Sequence, residues 1–167
     1  PIRFLLKNAK SQQEVAGVLA HELGHLHYNH GMQRMVYALG ISFLIDAYTG
    51  GGATPLYAAA FLSQMGYSRD HERESDVFAI EILQQREIDY LPMTEFFKRN
   101  LEKEAKGKFA QWQKKLDYIS THPASDERIA MIETSAAQRK KDILYRAPLS
   151  SEEWKQLRNI CDSSAVQ

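Results

Sequence analysis

The chain has 167 residues, 21 Lys plus Arg against 21 Asp plus Glu, a single Cys, and 44% hydrophobic side chains. That size and apolar content describe one globular domain able to bury roughly 68–70% of its unfolded surface, which excludes a disordered chain and one that depends on disulfide staples. Cys161 has no second cysteine to pair with, and a net charge of zero without a basic stripe excludes a dedicated nucleic-acid binder.

Pro1 opens the chain with no initiator Met and no basic-then-apolar leader, which reads as a portion of something longer. The short apolar run Pro1 to Leu6 has the character of the end of a strand. From Ser11 the pattern turns helical. Ser11 and Glu14 form a capping box, and Val15, Val18, Leu19, Glu22, Leu23 and Leu26 recur at helical spacing until Gly31, a natural stop. The stretch Met32 to Gly66 is the most apolar. It divides into helices over Met35 to Tyr48 and Pro55 to Met65, broken by Gly50, Gly51 and Gly52, and neither piece has the run of about 18 or more apolar residues that a membrane span requires. A further helix runs from about Arg69 to Gln85 with Ser68 as its cap. Thr94 to Leu116 is a Lys- and Glu-rich helical region with a break at Gly107. After Ser120-Thr121-His122-Pro123, Ser125 caps a helix through Ile132 or beyond. Pro148 precedes a second capping box, Ser150 with Glu153, ahead of Trp154 and Leu157. Trp112 and Trp154 serve as helix anchors.

Four of the six histidines fall within ten residues. His21, Glu22 and His25 make an H-E-x-x-H inside the first capped helix. Residues four apart share a helix face, so both imidazoles reach one ion, and Glu22 sits beside the position where a water would bind. Two histidines do not close a catalytic zinc site, so a third ligand is required. Metalloproteases that use a nearby third histidine place it ten residues after the first, where this chain has Gly31. His30 lies about 180° and His27 about 120° round the helix from His21, so both point away while that helix lasts. These two and His71 read as cap, packing or surface residues. The better source is the acidic cluster Glu72, Glu74 and Asp76. Glu72 and Asp76 share a face, with Glu74 about 200° from Glu72. One carboxylate on that face can bind the metal while the other fixes the tautomer of a ligating histidine.

Glu14 to His25, the segment Tyr67 to Asp76, and Ser120-Thr121-His122-Pro123 with Arg128 together closely resemble the zinc metallopeptidase family that contains HtpX, BepA, the mitochondrial Oma protease and the CAAX prenyl protease. The resemblance runs from about Leu5 to Glu133. It implies an α-rich zincin-like core with at most a short β element near the N-terminus. It also implies one Zn²⁺ per chain, held by His21, His25 and the Glu of an E-x-x-x-D motif, here Glu72. Glu22 is then the catalytic base and Asp76 the orienting carboxylate. His122 comes near the metal, to hold the oxyanion or to close the open position at rest, and Arg128 pairs with a nearby carboxylate. Ser75 departs from the small residue usual before that Asp. Family members carry a strand ahead of the first helix that pairs with extended substrate, and only Pro1 to Leu6 could represent its end here.

These readings place a catalytic domain over 1–135 and a tail over 136–167 that docks back or leads towards a partner domain. The expected activity is zinc-dependent endoproteolysis of unfolded or extended protein substrates in the bacterial cell envelope, periplasmic or membrane-associated, as protein quality control. A zinc-containing chaperone-like binding module is the alternative. Residues 32–66 either pack as a core hairpin, which Asp46 and the glycines favour, or touch a membrane interface.

Overall fold

The structure is a computed structural model, which describes residues 2–50, 69–105, 122, 124–139 and 143–160. These residues form the helices α1 (Ile2–Asn8), α2 (Gln12–His27), α3 (His30–Thr49), α4 (Arg69–Gln85), α5 (Pro92–Ala105), α6 (Asp126–Gln138) and α7 (Ser151–Asn159), with no strand among them. The fold is α-rich, as expected. The predicted helix over Pro55 to Met65, the region beyond Ala105 with Gly107 and Trp112, and Cys161 lie outside the described residues.

The N-terminal run does not end a strand. Leu5, Leu6 and Ala9 are all buried, and a strand would send Leu5 and Leu6 to opposite faces, whereas one helical turn sends all three to the core. Ser11 caps α2 as expected, accepting from the Glu14 N–H at 3.2 Å. The Glu14 carboxylate bonds the Lys10 N–H at 2.9 Å and pairs with Arg99 of α5, which ties the start of α2 to a neighbouring helix.

Gly31 is not the stop. The α2 helix ends at His27 and the chain reverses through Asn29, whose φ of 57° is the left-handed conformation that Asn tolerates better than most residues. Gly31 sits inside α3, which starts five residues earlier than the periodicity predicts. The core-packed reading also fails for this helix. Met32, Val36, Leu39, Phe43 and Leu44 are exposed, and buried positions there are His30 and Ala38. No helix among the described residues is long and apolar enough to cross a membrane.

The core lies where α2, α4, α5 and α6 meet, with Val15, Val18, Ala79, Ile80, Tyr90, Met93, Phe96, Phe97, Ile129 and Ile132 in one buried cluster. Pro92 opens α5 at the helix position where a missing N–H costs nothing. Two glycines let α2 approach its neighbours. A Cβ on Gly17 would lie 2.8 Å from the Met93 Cβ, and one on Gly24 would lie 2.8 Å from the Ser75 Cα. The second contact draws α2 against the middle of α4, which decides what faces what at the site. The tail folds back. The Gln12 side chain exchanges two hydrogen bonds with the Leu149 backbone, and Trp154 and Leu157 pack at the edge of the core, consistent with Trp154 as an anchor.

Candidate metal centre

His21 and His25 project from α2 towards Glu72 on α4, and His122 approaches the same point ahead of α6. One donor atom from each of these four buried residues lies within 4.8 Å of all the others. His21 Nε2 and His25 Nε2 are 3.0 Å apart, and each lies 3.3 Å from a Glu72 oxygen. The His122 Nδ1 is 3.0 Å from Glu72 Oε1, and its Nε2 is 3.5 Å from Glu22 Oε1. Glu22 Oε1 is buried without a hydrogen-bond partner, although 38% of the side chain's surface is open.

The far sides of the rings are also engaged. His21 Nδ1 is 2.7 Å from Asp76 Oδ1, and Asp76 accepts from Arg128 Nε at 2.6 Å and Nη2 at 2.8 Å. Arg128 Nη1 lies 2.8 Å from Glu72 Oε2, and its guanidinium stacks 4.6 Å above the Phe97 ring. Asp76 thus lies behind His21 and Arg128 pairs with the carboxylates of both Asp76 and Glu72. Burial works against charge on Asp76 and Glu72. Hydrogen bonds from Arg128 and His21 nevertheless hold Asp76 below the usual carboxylate range, and His122, His21, His25 and the Arg128 charge hold Glu72 far below it. Burial likewise opposes protonation of His21, yet its bonds to Asp76 and Glu72 raise its pKa, while at His25 burial prevails and lowers it.

These partners assign protons. Asp76, an ionised carboxylate, accepts from His21 Nδ1–H, which leaves Nε2 as the ring nitrogen turned towards the rest of the group. It points at His25 Nε2 and at a carboxylate. Two imidazole nitrogens 3.0 Å apart and a buried carboxylate with an oxygen 3.3 Å from each converge on one point, where a cation can meet all three. The residues therefore fit a metal ion, with two imidazole nitrogens and a carboxylate oxygen as a donor set that suits zinc. Beside the group, between the starts of α4 and α6, opens a cavity of about 530 Å³ lined by Arg69, Arg73, Ala124, Glu127 and Met131 and bordered by Glu72.

His30 and Glu74 are the residues that sequence reasoning missed. His30 is fully buried, with its Nδ1 2.9 Å from His25 Nδ1 and its Nε2 3.0 Å from Glu74 Oε2. The rotation about a single helix axis sends it away, but that helix ends before it, and the left-handed Asn29 turns the chain back towards the histidines. An Asn in that position was the available signal. His27 is exposed against Phe78, and His71 stacks on His30 at 4.1 Å.

The sequence profile of peptidase family M48 matches residues 2–136. Over 139 residues the chain is 30% identical to a Vibrio cholerae protein described as a beta-barrel assembly-enhancing protease, with 75% of this chain and 28% of that protein covered. It is 35% identical over 95 residues to the Escherichia coli metalloprotease YcaL, covering 50% of this chain and 36% of YcaL. Identity to the Escherichia coli metalloprotease LoiP is 29% over 131 residues, covering 74% of this chain and 49% of LoiP. The chain thus spans half or less of the length of each of these relatives. No solved structure matches it significantly.

Proposed function

This chain belongs to peptidase family M48, and from that premise we propose that it is the catalytic domain of a zinc-dependent metalloendopeptidase. The observation that carries the reading is the convergence of the His21 and His25 Nε2 atoms, 3.0 Å apart, on a buried Glu72 carboxylate. In this reading His21, His25 and Glu72 hold one Zn²⁺. When bound, the ion polarises the scissile carbonyl and lowers the pKa of an associated water towards 7.

The chain's own groups perform the proton work. Glu22 follows His21 in sequence and reaches the group from the open side, where its carboxylate takes a proton from the attacking water and returns it to the leaving amine. His122 stands between Glu22 and Glu72. From there it either donates a hydrogen bond to the oxyanion or fills the remaining ligand position at rest. Asp76 fixes the His21 tautomer, and Arg128 keeps Asp76 and Glu72 ionised. The cavity beside Glu72 has room for a substrate side chain next to the scissile bond.

We assign the substrate to the class of unfolded or extended proteins and the setting to the bacterial cell envelope, a setting in keeping with the name of the Vibrio cholerae relative, a beta-barrel assembly-enhancing protease. The described residues contain no strand, so an edge for pairing with substrate is not among them. The exposed apolar side chains of α3 support a peripheral membrane contact through residues 32–66. The test is a Glu22→Gln variant. It should keep stoichiometric zinc and lose chelator-sensitive cleavage of casein, and cleavage at the wild-type rate overturns the assignment.

A further inference from the structure

The two histidines of the H-E-x-x-H are buttressed differently. His21 rests on Asp76, as orienting carboxylates do in metal sites. The Nδ1 of His25 meets a second imidazole, that of His30. We propose that His30 and Glu74 form a hydrogen-bond relay that sets the tautomer and ring orientation of His25 for metal binding, with His30 as a positioning residue.

The proton order follows from the end of the chain. Glu74 is a carboxylate and can only accept, so His30 donates from Nε2–H at 3.0 Å. In the neutral ring that leaves His30 Nδ1 as an acceptor. It takes the Nδ1–H of His25 at 2.9 Å, which turns the His25 Nε2 lone pair towards His21 and Glu72. The Ser75 hydroxyl lies 3.4 Å from the same His30 nitrogen and can donate to it, which favours the same tautomer. The plane of the His30 ring is also held. His71 stacks on it at 4.1 Å and 13°, and Tyr28 lies near-parallel at 5.6 Å and 22°. The reversal at Asn29 delivers His30, as the first residue of α3, to the back of His25. His30 is fully buried while the Glu74 side chain is half exposed, so the relay leads from the metal group to the surface.

This inference rests on the metallopeptidase reading, and its test uses zinc affinity rather than turnover. Zinc binding to the whole chain is measured by competition with a chromophoric chelator for wild type, His30→Leu, His30→Asn and Glu74→Ala. The ring nitrogen shifts of His25 are recorded by ¹⁵N NMR in the zinc-loaded state. His30→Leu should bind zinc about 10–100-fold more weakly, the range seen when outer partners of metal ligands are removed. His30→Asn, whose Oδ1 can accept from His25 Nδ1–H, should recover most of that loss. Glu74→Ala should weaken binding by less and move the His25 nitrogen shifts in the same direction. If Glu74→Ala leaves both affinity and shifts unchanged, or if Asn is as poor as Leu at position 30, His30 is a packing residue and the relay is wrong. Should His30→Leu fail to fold, the Asn and Glu74 variants decide alone. A wild-type chain that binds no zinc overturns the metallopeptidase reading itself, whereas tight wild-type binding with unaffected variants overturns the relay only.

Discussion

Asp76 faces His21 across 2.7 Å with neither side chain exposed to solvent, so the proton between them has one stable arrangement, on the imidazole. Asn at position 76 breaks it from either side. Its amide nitrogen must face the His21 N–H or the Arg128 guanidinium, donor against donor. Asp76→Asn should weaken zinc binding about 10–100-fold, read by chelator competition. An unchanged affinity would show that the His21 tautomer is fixed by something else.

Arg128 neutralises two buried carboxylates at once, and its removal strands both. Arg128→Gln should cost about 3–5 kcal/mol at neutral pH in urea unfolding of the metal-free protein. The pH dependence has a definite sign. Asp76 and Glu72 have depressed native pKa values, so their contribution is present above the ordinary carboxylate range and is lost as pH falls through the native values. The gap between wild type and variant should therefore be widest above about pH 5 and narrow below about pH 4. A gap that widens on acidification contradicts the ion-pair account.

Gly24 and Gly40 make a matched pair. A methyl at Gly24 meets the Ser75 Cα at 2.8 Å and the Ser75 carbonyl oxygen at 3.0 Å, whereas one at Gly40 meets nothing within 4 Å. Gly24→Ala should destabilise by about 1–3 kcal/mol and weaken zinc binding as His21 and His25 are pushed back from Glu72. Gly40→Ala, in the interior of α3, should stabilise by up to about 1 kcal/mol with zinc affinity unchanged. Thermal melts with and without zinc separate the two.

Ser150 and Glu153 close a full capping box on α7, with the Ser150 N–H to Glu153 Oε2 at 2.8 Å and the Glu153 N–H to Ser150 Oγ at 3.3 Å. Ser150→Ala should cost about 1 kcal/mol. Hydrogen exchange should show the loss as faster opening of α7, with the amides of α2 and α4 unaffected. Uniform acceleration across the chain would mean that α7 is no separate unit.

The spacing of His21, His25, Glu72 and Asp76 was enough to anticipate which side chains meet, because each pair sits four apart on a helix and α2 crosses α4 at Gly24. Their chemical roles stand as proposals. His122 and Arg128 were legible through family resemblance alone, since no periodicity links a residue in a turn to a helix far along the chain. His30 was hidden for a different reason. Extrapolating a helix past its end gives the wrong direction, and one left-handed Asn supplies the correction. The same kind of error concealed α1, where a run too short to show a period was decided by the burial of Leu5 and Leu6 together.

The close passage at Gly24 has a genetic reading. The atoms that a side chain there would strike include the Cα and carbonyl oxygen of Ser75, which are present whatever residue occupies position 75. A search for second-site suppressors of Gly24→Ala should therefore return nothing at its nearest neighbour, and compensation would have to come from substitutions that let a whole helix slide. Between α2 and α4 the chain has left itself no local remedy.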